Sequence, residues 1–213
     1  MVSVTITGRG SAIELLQQDT FSALVSICSP TENDLGGNGF PEGHERISRK
    51  LLLKFDDSIT NYKREYESPL LNKTITIEDK APDTAQVAQL ITFVKGLDSN
   101  DKILVHCMMG QNRSPAVGLV INCALLGVGN EEVAWDKTLS GCRAVLLGPS
   151  EVVPQDPESI VPNRLVVVLG DELLGCGGKL VKALDSHLNK YHPKYLEHFK
   201  ARYNDHPIAT RYL

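Results

Sequence analysis

Alternating apolar and polar positions divide the first half of the chain into short strands. VSVTIT (2–7), ALVSIC (23–28) and KLLLKF (50–55) alternate or run apolar, as half-buried or buried strands do. KTITIE (73–78) places β-branched residues at alternate positions and predicts a fourth. A fifth, ILV (103–105), follows Asp101-Lys102 and ends at His106. Before it, Val87, Leu90, Ile91 and Val94 recur at helical spacing. They predict a helix over 85–97, capped at Asp83-Thr84.

The second half reads as mostly helical. SPAVGLVINCALLG (114–127) predicts a helix apolar on nearly every side, hence a buried one, with Pro115 in the first turn where a missing N–H costs nothing. At about 1.5 Å rise per residue it falls far short of a bilayer span. EEVAWDKTLSGCR (131–143) predicts a more amphipathic helix. GPSEVVPQDPESIVPN (148–163) is rich in turn formers. RLVVVLGDELLG (164–175) and GKLVKALDSHLNKYHPKYLEHFKARY (178–203) read as further helix, although periodicity alone allows VVVL to be a strand. Two polar segments, 29–43 and 61–72, read as loops, either overhanging a site or forming plain surface. With no internal repeat, the expectation is one α/β domain over 1–213, a central sheet flanked by helices.

Composition narrows the function. The chain has 213 residues, 42% of them hydrophobic, enough for one sizeable core. Its 26 acidic and 22 basic residues give a net charge of -4, which disfavours a dedicated nucleic-acid binder. The five cysteines (28, 107, 123, 142 and 176) show no metal-site or disulfide spacing, and four of them read as buried small hydrophobes. MVSVTITGRGSAIELL has neither a basic head nor an unbroken apolar run, so no signal peptide, membrane span or membrane association is expected. A reducing cytoplasm is the expected setting. No motif calls for a metal or another cofactor, and none indicates an oligomeric state.

The chemistry concentrates in His106-Cys107-Met108-Met109-Gly110-Gln111-Asn112-Arg113-Ser114. A thiol attacks at neutral pH only where its surroundings stabilise the thiolate. Five residues between a strand-ending cysteine and a helix-starting arginine can curl their N–H groups inward, making an anion site at the helix N-terminus. Gly110 permits the tight turn, and the planar Arg113 guanidinium suits two phosphoryl oxygens at once. Each residue alone has an ordinary structural reading; their conjunction is what points to phosphate chemistry. GDELLGCGG near 170–178 lacks the strand-to-helix setting of a dinucleotide fingerprint.

HCMMGQNRS resembles the HCxxGxxR(S/T) signature of the cysteine-dependent protein tyrosine and dual-specificity phosphatases. LVSICSP, LLLKFDDSI, ILVHCMMGQNRSPAVGLVI and PNRLVVVLGDELLG extend the resemblance to a group of small, mostly bacterial tyrosine-phosphatase-like proteins, over roughly residues 23–180. The resemblance implies a tyrosine-phosphatase-like fold with the CX5R loop between a strand and a buried helix. It implies Cys107 as the nucleophile that becomes phosphorylated, Arg113 as the grip on the transferring group, and Ser114 as hydrogen-bond donor to the sulfur. His106 would orient the loop, and the backbone of Met108, Met109, Gly110, Gln111, Asn112 and Arg113 would bind phosphate oxygens. Met108 and Met109 depart from the charged or small residues of many relatives, and Asn112 replaces a common serine.

A general acid is also required. Asp57, in the Asp56-Asp57 pair after LLLKF, matches the small bacterial group. Asp79, ahead of Pro82, sits where better-studied relatives carry their acid loop, and Asp56 is a further alternative. The expected reaction is phosphate monoester hydrolysis through a cysteinyl phosphate, with phosphotyrosine protein as leading substrate. A small phosphoester substrate and a non-catalytic phosphate-binding module are the alternatives. Tyr62, Tyr66 and Phe40 are candidate pocket walls.

Overall fold

The computed structural model describes residues 2–30, 39–58, 60–68, 73–145 and 151–203. Most of the predicted loop 29–43 and the end of the segment 61–72 lie outside these residues, as does the side chain of Tyr66. In chain order the elements begin with β1 (Ser3–Gly8), α1 (Arg9–Gln18), β2 (Ala23–Cys28), β3 (Arg49–Lys54), β4 (Tyr62–Ser68) and β5 (Lys73–Asp79). There follow α2 (Thr84–Lys95), β6 (Lys102–Cys107), α3 (Arg113–Leu126), α4 (Glu131–Gly141), β7 (Arg143–Val145) and β8 (Val152–Pro154). The last three are α5 (Arg164–Leu174), α6 (Lys179–Tyr191) and α7 (Pro193–Tyr203).

The central sheet has four strands in the order β1-β6-β2-β3, with every pairing parallel. Helices cover both faces, which is why β2 and β6 read as nearly continuous apolar runs. Side chains alternate across the sheet. Ala23, Val25, Ile27, Ile103, Val105 and Cys107 face one core with α2, α3, α5 and α6. Leu24 and Leu104 face the other way, against Ala12, Leu15 and Leu16 of α1. α3 lies deepest: residues 113–123 are all buried. α2 starts as its pattern predicts, with Asp83 and Gln86 forming a reciprocal capping box, and it buries Val87, Leu90, Ile91 and Val94.

Several expectations are corrected. Residues 62–68 are not loop but β4, paired antiparallel with β5 in a hairpin separate from the central sheet. Tyr62, Lys63, Glu65 and Glu67 remain exposed there, so no apolar face announces the strand. The turn-rich stretch contains β8, paired with β7. VVVL, by contrast, lies in α5, as the helical reading of 164–175 expects, with Asn163 capping the helix and Gly175 ending it in the left-handed conformation at φ 73°. The C-terminal helical segment breaks at His192-Pro193, where proline bars its predecessor from the helical region. α1, over RGSAIELLQQ, had no sequence expectation at all. No helix among the described residues is long and apolar enough to cross a membrane.

Candidate active site

Cys107 ends β6, at the carboxyl edge of the parallel sheet, where open α/β sheets hold their ligands. The register sets it beside Gly8 of β1. From there the chain turns through 108–112 into α3, whose positive N-terminal end therefore meets the loop. The turn depends on glycine. Gly110 has φ +81°, and a Cβ there would stand 2.5 Å from the Gly8 nitrogen. A Cβ on Gly8 would in turn stand 2.9 Å from the Met109 carbonyl oxygen. The Arg9 amide completes the support by donating to the Met108 carbonyl at 3.0 Å.

The sulfur sits among polar partners. Gly110 N–H donates to Cys107 Sγ at 3.3 Å, and Ser114 Oγ lies 3.3 Å from the same atom. Ser114 Oγ is also 3.1 Å from the Thr7 carbonyl oxygen. A hydroxyl has one proton, so these two contacts compete. A protonated sulfur donates to Ser114 while the hydroxyl donates to Thr7; an ionised sulfur draws the hydroxyl proton to itself. Arg113 is buried, and its Nη1 donates to the Phe55 carbonyl at 3.1 Å and to Ser29 Oγ at 3.3 Å. The arginine thus ties the loop to the chain leaving β2 and β3.

His106 is buried on the opposite face of β6, in direct register with Ser26 of β2. Its Nδ1 lies 3.4 Å from the Cys107 carbonyl, which can only accept, so Nε2 receives the Ser26 hydroxyl. Burial lowers its pKa from 6.5 to about 4; the charges of Arg9 and Arg113 push the same way, and the Cys107 carbonyl opposes them. The imidazole is neutral at physiological pH, with its single N–H committed to the Cys107 carbonyl. Because the folded pKa lies below the unfolded one, the unfolded chain binds the extra proton as pH falls. Stability on the order of 3 kcal/mol, present above pH 6.5, should be lost between 6.5 and about 4. Urea unfolding of the wild type and His106→Gln across that range checks this: the acid-side decline should be shallower in the variant.

The three candidate acids have different surroundings. Asp57 Oδ1 accepts a hydrogen bond from Asn163 Nδ2 at 2.9 Å. The residue is open to solvent on one side, yet protein packed around its carboxyl removes enough water to raise its pKa above the ordinary aspartate value; the Asn163 bond and the Arg113 charge oppose that rise. Asp56 is buried and turned away, its Oδ2 accepting the Lys80 amide at 2.7 Å. Asp79 ends β5 opposite Tyr62. Among the described residues, no hydrogen bond or ion pair joins Asp79 to 106–114. A cavity of about 660 Å³ opens next to the 54–61 segment, lined by Lys54, Asn61, Lys80, Asp83, Gln86 and Leu165 among others, but it reaches neither Cys107 nor Arg113.

The outer side of the loop is strapped by the segment before α5. Val161 N–H donates to the Gln111 carbonyl at 2.9 Å, Asn112 Nδ2 donates to the Val161 carbonyl at 2.9 Å, and Asn163 N–H donates to the Asn112 carbonyl at 3.1 Å. Met109 is 68% exposed at the rim, whereas Gly110 is buried. Of the candidate walls, Tyr62 stays exposed on β4. Phe40 packs against the α1 cluster and stacks on His44, while its carbonyl accepts from Arg9 at 2.9 Å. Sequence reasoning did not find Ser26, Thr7, Arg9 or Asn163. Asn163 alone carried a signal, as an asparagine directly before an apolar helical run.

No family model matches the chain, and no curated protein does. Among solved structures, the crystal structure of Tk-PTP in the active form aligns over 82% of this chain and 91% of that one, at 17% identity and a TM-score of 0.47. A likeness of that strength assigns neither activity nor substrate. The residues around Cys107 must carry any functional reading themselves.

Proposed function

We propose that the chain hydrolyses phosphate monoesters through a phosphocysteine formed on Cys107. The observation that carries this reading is the setting of the sulfur: Gly110 N–H and Ser114 Oγ each stand 3.3 Å away, at the positive end of α3. In the first step the thiolate attacks phosphorus, the bond to the ester oxygen breaks, and Asp57 gives its proton to that oxygen. In the second, water attacks phosphorus, Asp57 takes the water proton, and sulfur leaves as thiolate with the Ser114 hydroxyl turned to it. Arg113 uses Nε and Nη2, which bond to none of the described residues, to hold two equatorial oxygens through both steps. The loop backbone holds the rest.

Asp57 is preferred to Asp79 and Asp56. Its carboxyl lies within the field of Arg113, and its raised pKa favours the protonated form that a general acid needs. Phosphotyrosine protein is the leading substrate, because the exposed Met109 gives the rim an apolar surface for an aryl ring. A small aryl phosphoester would use the same contacts.

Two measurements test this. Under reducing, metal-free conditions the wild type should turn over an aryl phosphate and a phosphotyrosine peptide. Acid-quenched Ser114→Ala should show a phosphoryl adduct on Cys107 by mass spectrometry. Asp57→Asn should slow a substrate with a poor leaving group by about 10²- to 10³-fold, and Asp79→Asn far less. Phosphate binding with neither turnover nor adduct would make the chain a binding module instead.

A further inference from the structure

Asn163 is buried at 1% exposure, and its side-chain oxygen, side-chain nitrogen and backbone N–H each bond to a different segment. Its Oδ1 accepts from the amides of Leu165 at 3.1 Å and Val166 at 3.3 Å, capping α5. Its Nδ2 donates to Asp57 Oδ1 at 2.9 Å and to the Ser58 carbonyl at 3.3 Å. Its backbone N–H donates to the Asn112 carbonyl at 3.1 Å, in the Cys107 loop. The amide orientation follows from these partners, since a flipped side chain would set NH₂ against two N–H donors and oxygen against a carboxylate and a carbonyl. An N-cap needs only an acceptor. The donor half of the side chain does something a cap does not require.

Resting on the reading of Asp57 as the general acid, we propose that Asn163 is a positioning residue that fixes the Asp57 carboxyl relative to the Cys107 loop. One residue, its side chain clamped by the start of α5, spans the two segments that must meet across the substrate: its backbone N–H holds the Asn112 carbonyl and its side chain holds Asp57. Both are otherwise irregular chain, with freedom that a proton transfer over hydrogen-bond distance does not tolerate. Because Nδ2 donates to a carboxylate, the bond also favours the ionised acid and restrains the rise that desolvation produces. The other titratable groups near Asp57 are the Arg113 guanidinium from α3 and the Tyr195 phenol from α7, which burial keeps neutral, with Asp56 adjacent in the chain and bonded to the Lys80 amide.

Asn163→Asp separates the two functions of the side chain. It keeps an acceptor for the Leu165 and Val166 amides, and therefore the cap, but it replaces the donor with oxygen. Asn163→Ser does the same with a hydroxyl too short to reach Asp57, and serves if the paired carboxylates disturb folding. Each is compared with the wild type and with Asp57→Asn, using aryl phosphates of good and poor leaving groups across pH, with thermal unfolding alongside. The expected result is near-wild-type unfolding and a loss of about 10-fold or more on the poor leaving group, with little change on the good one. In Asn163→Asp the basic limb of kcat/KM should also move to higher pH, because the acid loses a donor and gains a neighbouring negative charge. Equal losses on both substrates with the limb unmoved would mark a purely structural residue and overturn the proposal. Wild-type kinetics in the Asn163 variants, beside a discriminating Asp57→Asn, would overturn the positioning role alone. An Asp57→Asn protein that does not discriminate between leaving groups would remove the acid assignment, and this proposal with it.

Discussion

Cys107→Ser is expected to reduce turnover by about 10⁴-fold or more while the protein stays folded and still binds inorganic phosphate. The reason lies in the atom. A serine hydroxyl does not ionise near neutral pH, and the loop has no base to help it. His106 is neutral, faces away from the pocket and is engaged by Ser26 and the Cys107 carbonyl. The geometry is also sized to sulfur, since Gly110 N and Ser114 Oγ stand 3.3 Å from Sγ and a shorter C–O bond leaves both contacts long. Steady-state kinetics of the two proteins, with calorimetric titration of inorganic phosphate, check the expectation. Turnover within about tenfold of wild type would mean that another group is the nucleophile.

Arg113→Lys should be nearly as damaging, at about 10²- to 10³-fold in kcat/KM, although the charge is kept. Arg113 Nη1 is committed to the Phe55 carbonyl and Ser29 Oγ, so the guanidinium is held as a fixed plane with its other donors left for phosphoryl oxygens. A lysine ammonium is a single point that cannot hold both the Phe55 carbonyl and two equatorial oxygens. Loss should fall more heavily on kcat than on KM if the grip tightens as phosphorus becomes planar. A variant within a few-fold of wild type would show that bidentate contact is not used. The same substitution probes the proposed acid from the other side: the Arg113 charge acts on Asp57, and its bond to the Phe55 carbonyl anchors the chain two residues before that carboxyl.

The parts of the site legible in sequence are those whose chemistry is local. Cys107, Gly110, Arg113 and Ser114 lie within eight consecutive residues between an apolar strand and an apolar helix, so spacing alone brings them together. The α2 cap is equally local, since Asp83 and Gln86 bond across a single turn. β4 was missed for the opposite reason. Tyr62, Lys63, Glu65 and Glu67 stand in water, and YKREYES carries no run of apolar residues to read as a strand. VVVL fits a strand or a buried helix equally well, and what settles it is the cap that Asn163 supplies to α5.

The choice among Asp56, Asp57 and Asp79 shows the boundary most sharply. All three lie at or just after the end of a strand and all three carry the same group, so no local rule ranks them. Asp57 is set apart by strand order: β3 lies two places from β6 in the parallel sheet, which brings the chain after Lys54 to the same edge as Cys107. Asp56 points the other way along that chain and pairs with Lys80. Asp79 belongs to a hairpin outside the sheet. By itself the sequence determined that this chain carries a strand–cysteine–glycine–arginine–helix loop suited to a phosphoryl group, because those contacts form between near neighbours. Only the tertiary structure decided that Asn163, more than fifty residues away from Cys107, bonds both the Asp57 carboxylate and the Asn112 carbonyl of the cysteine loop. Those contacts join segments whose proximity is set by sheet order and helix packing, and no spacing along the chain encodes them.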